Sequence, residues 1–388
     1  MDTTAETPHP SAGRPVDLPD LASGPDVAAL TATLLDAYSV SDWETDLADA
    51  VEQALCSLPR LQTTRIGDSV VARTDLGLTH RVILAGHLDT VPLPTVEGSR
   101  GTVPSVWDGQ VLYGRGAVDM KSGVAVQLAL AGLVGASDGA DPAYDVTWVF
   151  YDHEEVDAMR SGLARVAREA PELLEADFAV LLEPTDGVVE GGCNGTNRYR
   201  VTFRGVAAHS GRAWRGHNAI HDAARLLTAL SAYEPATVTV EGLDYREGLN
   251  AIRMAGGVAG NVIPDTCTVE VNYRFAPDKT LDQAHAHVRE VFAAAGVDWD
   301  EQVEITDASP SARPGLDRPA AASFVAAVGG EPKPKYGWTD VARFSELGVP
   351  AVNFGPGDAL LAHTDDEHVR REDVHSCLHA LRAWLFTG

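Results

Sequence analysis

The sequence predicts an α/β protein with a mixed, mostly parallel sheet between helices and a small inserted βαββαβ domain. Short, continuous apolar runs, typical of buried parallel strands, alternate with helical patterns in the first half of the 388-residue chain. The middle changes to alternating strands and helices, and the last part returns to the first pattern. A chain of this length is too long for one simple domain, so we expect one domain to interrupt another.

The larger domain is predicted over 21–196 and 308–388, after a disordered tail over 1–20. Two helices are predicted first, over 27–40 and 45–59. The runs RVILAGHL, DVTWVFYD and FAVLLE predict buried strands, and SGVAVQLALAGLVGA predicts a buried helix. After the insertion, the chain continues with the helix AAASFVAAVGG, the strand AVNFG and the final helix VHSCLHALRAWLF.

The inserted domain is predicted over 197–307. Its successive segments are the strand YRVTFRG, the helix NAIHDAARLLTALSAY, the strands GLNAIRMAGG and CTVEVNYRF, the helix LDQAHAHVREVFAAAG and the strand QVEITD. The order β-α-β-β-α-β is that of a self-contained, ferredoxin-like unit.

The composition limits the kinds of partner that the protein can bind and the cell compartment in which we expect it. With 30 Lys and Arg against 56 Asp and Glu, the net charge of −26 argues against nucleic acid or an anionic membrane as a partner. No apolar run reaches the roughly 18 residues of a membrane span, and the start of the chain lacks the pattern of a secretory signal. We therefore expect a cytoplasmic protein with four free cysteines, of which Cys56, Cys267 and Cys377 are expected as small buried residues.

Adjacent carboxylates, Glu154 and Glu155, end the apolar run VTWVFYDHEE and are the most informative feature of the chain. Other candidate metal ligands lie at the ends of predicted elements: His87 in GHLDTVP, Asp119 in GRGAVDMKSG, Glu183 in LLEPT and His363 in LLAHT. Loops that follow the strands of an α/β sheet gather at one edge. The set suffices for two metal ions and leaves one carboxylate for proton transfer.

Each candidate also has an ordinary structural explanation when it is taken alone. His87 could be a strand-end histidine bonded to the backbone, Asp119 a helix N-cap, and the Glu154–Glu155 pair an exposed strand end. Glu183 and His363 could be surface or capping residues. The joint pattern favours a metal site, and Asp89, two residues after His87, is placed to accept the second N–H of that imidazole.

The motifs GHLDTVP, GRGAVDMKSG, DHEEVD and AHT, in this order, resemble those of the dizinc aminoacylase/carboxypeptidase family of metallopeptidases. The resemblance covers nearly the whole chain, including the insertion. It implies a zinc-peptidase-like catalytic domain over 21–196 and 308–388 that holds two Zn²⁺, with Co²⁺ or Mn²⁺ also accepted at the second site. It implies that 197–307 is a lid and a homodimer interface.

Carried over by motif, the resemblance assigns His87 and Glu183 to one zinc ion, Glu155 and His363 to the other, and Asp119 to both. Glu154 would be the general base: it takes a proton from the water that bridges the metals, and as general acid it delivers the proton to the departing amine. Asp89 and His209 are implied as further catalytic residues. His209 would be an oxyanion donor from the lid, often that of the partner subunit.

Two longer stretches, 189–220 and 335–367, look like those of succinyl-diaminopimelate desuccinylases of the actinobacterial type. This resemblance implies hydrolysis of the small molecule N-succinyl-LL-diaminopimelate, a step in lysine and diaminopimelate biosynthesis. It implies four substrate-binding residues: Arg274, Asn261, Arg212 and Thr339. Arginine forks suit a substrate with several carboxylates. Two alternatives stay open, since Arg274 could pair with a surface acid and Asn261 could be a turn residue.

Three other functions make different demands on the sequence. Another N-acyl-amino-acid deacylase or a metallo-carboxypeptidase would use the same ligands and differ only in the lid motifs. A family member that binds ligand without catalysis should have lost a ligand or the base, whereas all six positions are intact. Serine or cysteine catalysis is rejected because Ser210 and Cys193 lack the strand-turn-helix setting of a nucleophile elbow.

Overall fold

The computed structural model describes residues 16–387, so most of the tail predicted over 1–20 lies outside the described residues. The chain divides into two compact units. The first comprises 1–190, 316–333 and 346–388, and the second comprises 191–315 and 334–345. The insertion predicted over 197–307 falls within the second unit, to which 334–345 also belongs. Among the described residues, no helix is both long and apolar enough to cross a membrane.

The first unit is built on a mixed sheet, as predicted. Six of its strands are neighbours in the order Gln62–Ile66, Ser69–Arg73, Asp145–Tyr151, Arg81–His87, Phe178–Leu181 and Ala351–Asn353. The last four pair in parallel, and the first two form an antiparallel edge that the sequence analysis missed. Because the three predicted strands adjoin one another, the residues that follow them gather at one edge of the sheet.

Helices cover this sheet and enclose its core. They span Val27–Asp36, Thr45–Cys56, Lys121–Gly135, Gly162–Glu169, Pro319–Val328 and Arg371–Thr387. Short 3₁₀ helices lie at Leu21–Ser23, Ala158–Arg160, Pro171–Leu174 and Ala359–Leu361. The helix Lys121–Gly135 is buried almost all round, as its apolar sequence predicts, and Leu128, Phe150 and Trp384 are fully or almost fully buried members of the core.

A separate three-stranded antiparallel sheet completes the first unit. Its strands, in spatial order, are His368–Arg370, Val111–Tyr113 and Val106–Asp108. The pairing joins the segment that precedes Asp119 to the segment that follows His363. Two candidate ligands that are far apart in sequence are thereby brought to adjoining loops.

The second unit contains the predicted β-α-β-β-α-β order. Its four-stranded antiparallel sheet has the spatial order Gly248–Gly256, Thr266–Phe275, Gly195–Arg204 and Val303–Ser309. The helices Ala219–Ser231 and Leu281–Ala294 enclose a second core with this sheet. Further elements of the unit, or at its junctions, are the short strands Ala208–His209, Val262–Ile263, Thr237–Val240, Leu243–Arg246, Glu190–Gly191 and Lys333–Pro334, and the short helices Ser210–Arg215, Trp299–Gln302 and Val341–Glu346.

Two details differ from expectation for local reasons. The first helix ends at Asp36, because Ala37 turns to extended backbone and Val40 then forms a parallel bridge with Thr90. All four cysteines are free thiols, and three are buried, but Cys56 is exposed, so the expectation that it is buried is wrong. Cys56 is the last residue of its helix, and the buried positions of that helix end at Leu55.

Candidate metal centre

The carboxyl ends of three neighbouring parallel strands supply four of the six candidates. His87 is the last residue of Arg81–His87, and in the sheet it is paired with Tyr151 of the adjacent strand, shortly before Glu154 and Glu155. Glu183 follows Phe178–Leu181 on the other side. Each strand is apolar because it is buried on both faces, and the polar residue appears where the strand leaves the core.

Asp119 lies between the two candidate histidines. Its Oδ1 is 3.1 Å from His87 Nε2, and its Oδ2 is 3.2 Å from His363 Nε2. His363 Nε2 is also 3.0 Å from Glu155 Oε1. The alternative role of Asp119 as a helix cap is not the one found, since Met120 occupies the N-cap of Lys121–Gly135. One carboxylate therefore joins two groups of donors.

The potential ligand atoms form three overlapping groups. They are His87 with Asp119 and Glu183, Asp119 with Glu155 and His363, and His87 with Glu154 and Glu155; in each group the ligand atoms lie within 4.8 Å of one another. These residues all belong to the first unit. Imidazole nitrogen and carboxylate oxygen are the donors that Zn²⁺ accepts besides thiolate, so the donor set fits a pair of divalent cations.

The electrostatics of the cluster also favour a cation. Burial alone would lower the pKa of His87, but hydrogen bonds with Asp119 and Asp89 raise it well above its ordinary value. Hydrogen bonds with Asp119 and Glu155 raise the pKa of His363 to about 10. Burial, and then the charge of Asp119, raise the pKa of the Glu155 carboxyl. The site thus binds protons tightly where a metal ion would supply the same positive charge.

Asp89 contacts three candidate ligands, His87, Glu154 and Glu155, on the side away from the proposed metal ions. It is fully buried, and its Oδ1 and Oδ2 accept the backbone N–H groups of Glu154 and Glu155, each at 3.0 Å. Its Oδ2 also accepts the Ser41 hydroxyl at 2.8 Å. His87 Nδ1–H donates to the Asp89 carbonyl at 2.9 Å, with the carboxylate at 3.5 Å. This bond fixes the imidazole with Nε2 toward Asp119, as metal ligation requires.

A second network, which the sequence analysis missed, holds the turn before the Glu pair. His153 has a positive φ of 58°, its N–H donates to Glu44 Oε1 at 3.2 Å, and its Nδ1 lies 2.7 Å from Asp152 Oδ2. Burial, followed by the charge of Asp89, raises the pKa of Glu44 to about 7. The histidine in the motif DHEEVD was available as a signal, but Glu44 lies more than a hundred residues away in sequence and gave none.

Residues of the second unit expected to contact substrate fall at two ends of its sheet. His209, Arg212 and Asn261 lie together: the strand that ends at His209 pairs with Val262–Ile263, and the Ser210 N–H donates to the Asn261 carbonyl at 2.9 Å. His209 and Asn261 are exposed. His209 Nδ1 accepts the N–H of Gly211 at 3.0 Å.

Arg274 and Thr339 lie at the other end. Arg274 is opposite Thr196 at the start of Gly195–Arg204, and its Nε donates to Asn272 Oδ1 at 3.2 Å. The nearby Cys193 thiol lies 3.7 Å from the Thr339 carbonyl. Strands of this length span roughly 30 Å, so the second unit of one chain does not bring all four residues to one place.

Comparison with known proteins gives a consistent result. The model of peptidase family M20/M25/M40 matches residues 83–387. The chain is 48% identical over 361 residues to a putative succinyl-diaminopimelate desuccinylase, DapE, of Mycobacterium tuberculosis strain H37Rv, covering 93% of this chain and 98% of the relative. It is 42% identical over 363 residues to the succinyl-diaminopimelate desuccinylase of Corynebacterium glutamicum, covering 93% and 96%.

A solved structure supports the fold. The M20 family metallo-carboxypeptidase Sso-CP2 from Sulfolobus solfataricus superposes with a TM-score of 0.77 at 14% identity, covering 93% of this chain and 98% of the other. At that identity the likeness concerns the fold alone. Together with the family match over most of the sequence and the ordered motifs of the metal centre, it leads to one conclusion. The chain belongs to peptidase family M20/M25/M40.

Proposed function

We propose that the protein is a metal-dependent amidohydrolase that converts N-succinyl-LL-diaminopimelate to succinate and LL-diaminopimelate. The observation that carries the reaction type is the placement of Asp119, whose two oxygens each face a different histidine. Two-metal hydrolases hold their ions about 3.5–4 Å apart, a separation that one carboxylate can bridge. The similarity to two desuccinylases over nearly their full length supports the substrate.

The ligands divide into two sets that share Asp119. His87 and Glu183 would complete one set, and Glu155 and His363 the other. We propose Zn²⁺ for both, with Co²⁺ or Mn²⁺ accepted at the second. When bound, two divalent cations supply Lewis acidity and lower the pKa of water toward about 7.

Glu154 is the group that we propose to move the proton. Its carboxylate lies within reach of His87 and Glu155, and its backbone is fixed by the bond from its N–H to Asp89. Glu155, which shares the same anchor, points to His363. We therefore assign metal ligation to Glu155 and proton transfer to Glu154. The Glu154 carboxylate takes a proton from the attacking water and returns it to the departing amine.

The separation inside the second unit supports a homodimer. A substrate of this size is about half as long as the roughly 30 Å strand that separates Asn261 from Arg274. If both contact substrate, they do so at different sites, and one end of each second unit serves the partner subunit. We propose on this ground that His209 and Asn261 act in trans and that the second unit serves as lid and dimer interface.

The protein as a whole carries a charge of −26, which would repel nucleic acid and anionic lipid. We propose that it works in the cytoplasm on a small-molecule substrate and without either partner.

The test is release of LL-diaminopimelate from N-succinyl-LL-diaminopimelate by zinc-loaded protein, with chelator-treated protein as control. We expect rapid release that the chelator abolishes and Zn²⁺ restores. If protein with two bound Zn²⁺ releases nothing, the substrate assignment is wrong, and other N-acyl amino acids and dipeptides become the substrates to assay.

A further inference from the structure

Glu367, a buried carboxylate outside the ligand set, contacts the loop that carries Asp119. Its side chain is 1% exposed. Its Oε1 accepts the backbone N–H of Val118 at 3.1 Å and of Asp119 at 3.2 Å. The Glu367 carbonyl accepts the N–H of Gly114 at 3.1 Å. This single residue therefore fixes both ends of the segment that delivers the shared ligand.

Arg115, the partner of Glu367, contacts the loop that carries His363. Its guanidinium is 4% exposed, and its Nη1 donates to Glu367 Oε2 at 2.8 Å and to the Thr364 carbonyl at 3.2 Å. Thr364 is the residue after His363. The Arg115–Glu367 pair thus joins the two loops on which Asp119 and His363 depend.

The two loops need such a connection. His363 has a positive φ of 63°, a conformation that a non-glycine residue keeps only where its surroundings hold it. Its side chain is 50% exposed, so packing does little to fix the imidazole. Asp119 Oδ2 and His363 Nε2, which lie 3.2 Å apart, must nevertheless keep this separation to bind one metal ion. The backbone bonds made by the pair are placed to provide that constraint.

The charges of the pair also matter. Glu367 is a further carboxylate beside a cluster that already contains Asp119, Glu154 and Glu155. Alone, it would repel Asp119 at low dielectric, and Arg115 offsets its charge. The pair can therefore order the loops without adding net negative charge to the site.

We propose that Arg115 and Glu367 are a positioning pair that sets the metal affinity of the Asp119–Glu155–His363 group. They touch the backbones that present the ligands, and neither belongs to the ligand set. This inference rests on the proposed metal centre. By analogy with residues that orient metal ligands elsewhere, loss of the pair should cost about 10- to 100-fold in affinity.

The test measures Zn²⁺ affinity of Glu367→Gln by competition with a chromophoric chelator, together with the visible spectrum of the Co²⁺-loaded protein. The matched control is Asp145→Asn. Asp145 is also buried, accepts the N–H groups of Leu76 and Leu78 at 2.9 and 3.0 Å, and lies 3.7 Å from an arginine, at the opposite end of its strand from the site.

We expect Glu367→Gln to weaken one of two Zn²⁺ sites by about 10- to 100-fold and to alter the Co²⁺ spectrum, while Asp145→Asn changes neither. Equal affinity in Glu367→Gln and wild type, or equal loss in both variants, would overturn the inference. If wild-type protein does not take up two Zn²⁺, the proposed function fails instead.

If Glu367→Gln does not fold, Arg115→Lys decides the matter. Both native bonds come from Arg115 Nη1. Lysine keeps the charge, but its side chain is shorter and lacks the planar guanidinium, so its ammonium does not reach the position of Nη1 between Glu367 and the Thr364 carbonyl. Loss of about one hydrogen bond should weaken the same site by up to about tenfold, with an unchanged circular dichroism spectrum. Unchanged affinity in this folded variant would refute a positioning role.

Discussion

Asp89→Asn tests whether Asp89 holds the backbone of Glu154 and Glu155 in place, as its hydrogen bonds indicate. The substitution keeps the shape of the side chain but replaces one accepting oxygen by an NH₂ group. In the native protein, one oxygen accepts from Glu154 and the other from Glu155 and Ser41. Asparagine can satisfy only one side, so its NH₂ group must face a backbone N–H of the Glu154–Glu155 turn.

The size of the effect follows from these contacts. One charge-assisted hydrogen bond is lost, and one buried N–H is left without an acceptor, which together cost about 1–3 kcal/mol. At 1.4 kcal/mol for each factor of ten, this corresponds to about 5- to 150-fold in metal affinity or turnover. Ser41→Ala removes only the hydroxyl bond, worth about 0.5–1.5 kcal/mol, and should cost about tenfold or less.

The assay is Zn²⁺ affinity by chelator competition and turnover at saturating Zn²⁺. Asp145→Asn again serves as the control for loss of a buried carboxylate far from the site. If Asp89→Asn binds Zn²⁺ and turns over within twofold of wild type, Asp89 does not hold the turn, and the argument is refuted. An equal effect of Asp145→Asn would point to general destabilisation.

Three further predictions address the site. Glu154→Gln should lower turnover by about 10²–10⁴-fold, because the proton acceptor is gone, while zinc content by atomic absorption stays at the wild-type value; retained activity would contradict the assignment. Zn²⁺ binding to the Asp119–Glu155–His363 group should release about one proton near pH 7.5, because the pKa of His363 is raised to about 10 in the metal-free protein. Affinity should therefore rise as pH rises toward that value, and calorimetry in buffers of different ionisation enthalpy should detect the proton; no buffer dependence would refute it. His209→Ala should lower turnover by about 10²–10³-fold without loss of zinc, and parallel loss of both would indicate a structural role.

Elements with a strong local signal were predictable. The three parallel strands are continuous apolar runs, and all three were found at nearly the predicted residues. The hairpin Thr237–Val240 and Leu243–Arg246 was missed, although its alternating pattern was present. Its two-residue turn is Glu241–Gly242, with φ of 50° and 86°. Glu-Gly is a weaker hairpin signal than Asn-Gly, because glutamate rarely adopts positive φ.

The candidate site likewise has residues that the sequence predicts and residues that it does not. Polar residues that follow buried strands are visible in the sequence, and the structure gathers His87, Glu154, Glu155 and Glu183 where the sheet topology requires. Asp89, which contacts three of these residues, was also predicted, but other residues that contact the ligand-bearing loops were not. Glu44 and Glu367 accept N–H groups of distant segments, and Arg115 donates to the Thr364 carbonyl. A bond between a side chain and a distant backbone group has no required spacing in sequence. Such contacts emerge only when the chain is folded.

Charge explains how a strongly acidic protein can accept an acidic substrate. Asp89, Asp119, Glu154, Glu155 and Glu183 place up to five negative charges in and beside the cluster of candidate ligands. In metal-free protein, protons on His87 and His363 offset part of this charge, as their raised pKa values indicate. Two divalent cations would offset four charges and bring the cluster close to neutrality. A substrate with several carboxylates would then be repelled less by this cluster. Metal removal should therefore weaken substrate binding itself as well as turnover, and titration of chelated Glu154→Gln protein with N-succinyl-LL-diaminopimelate would show this; equal affinity with and without Zn²⁺ would exclude the argument.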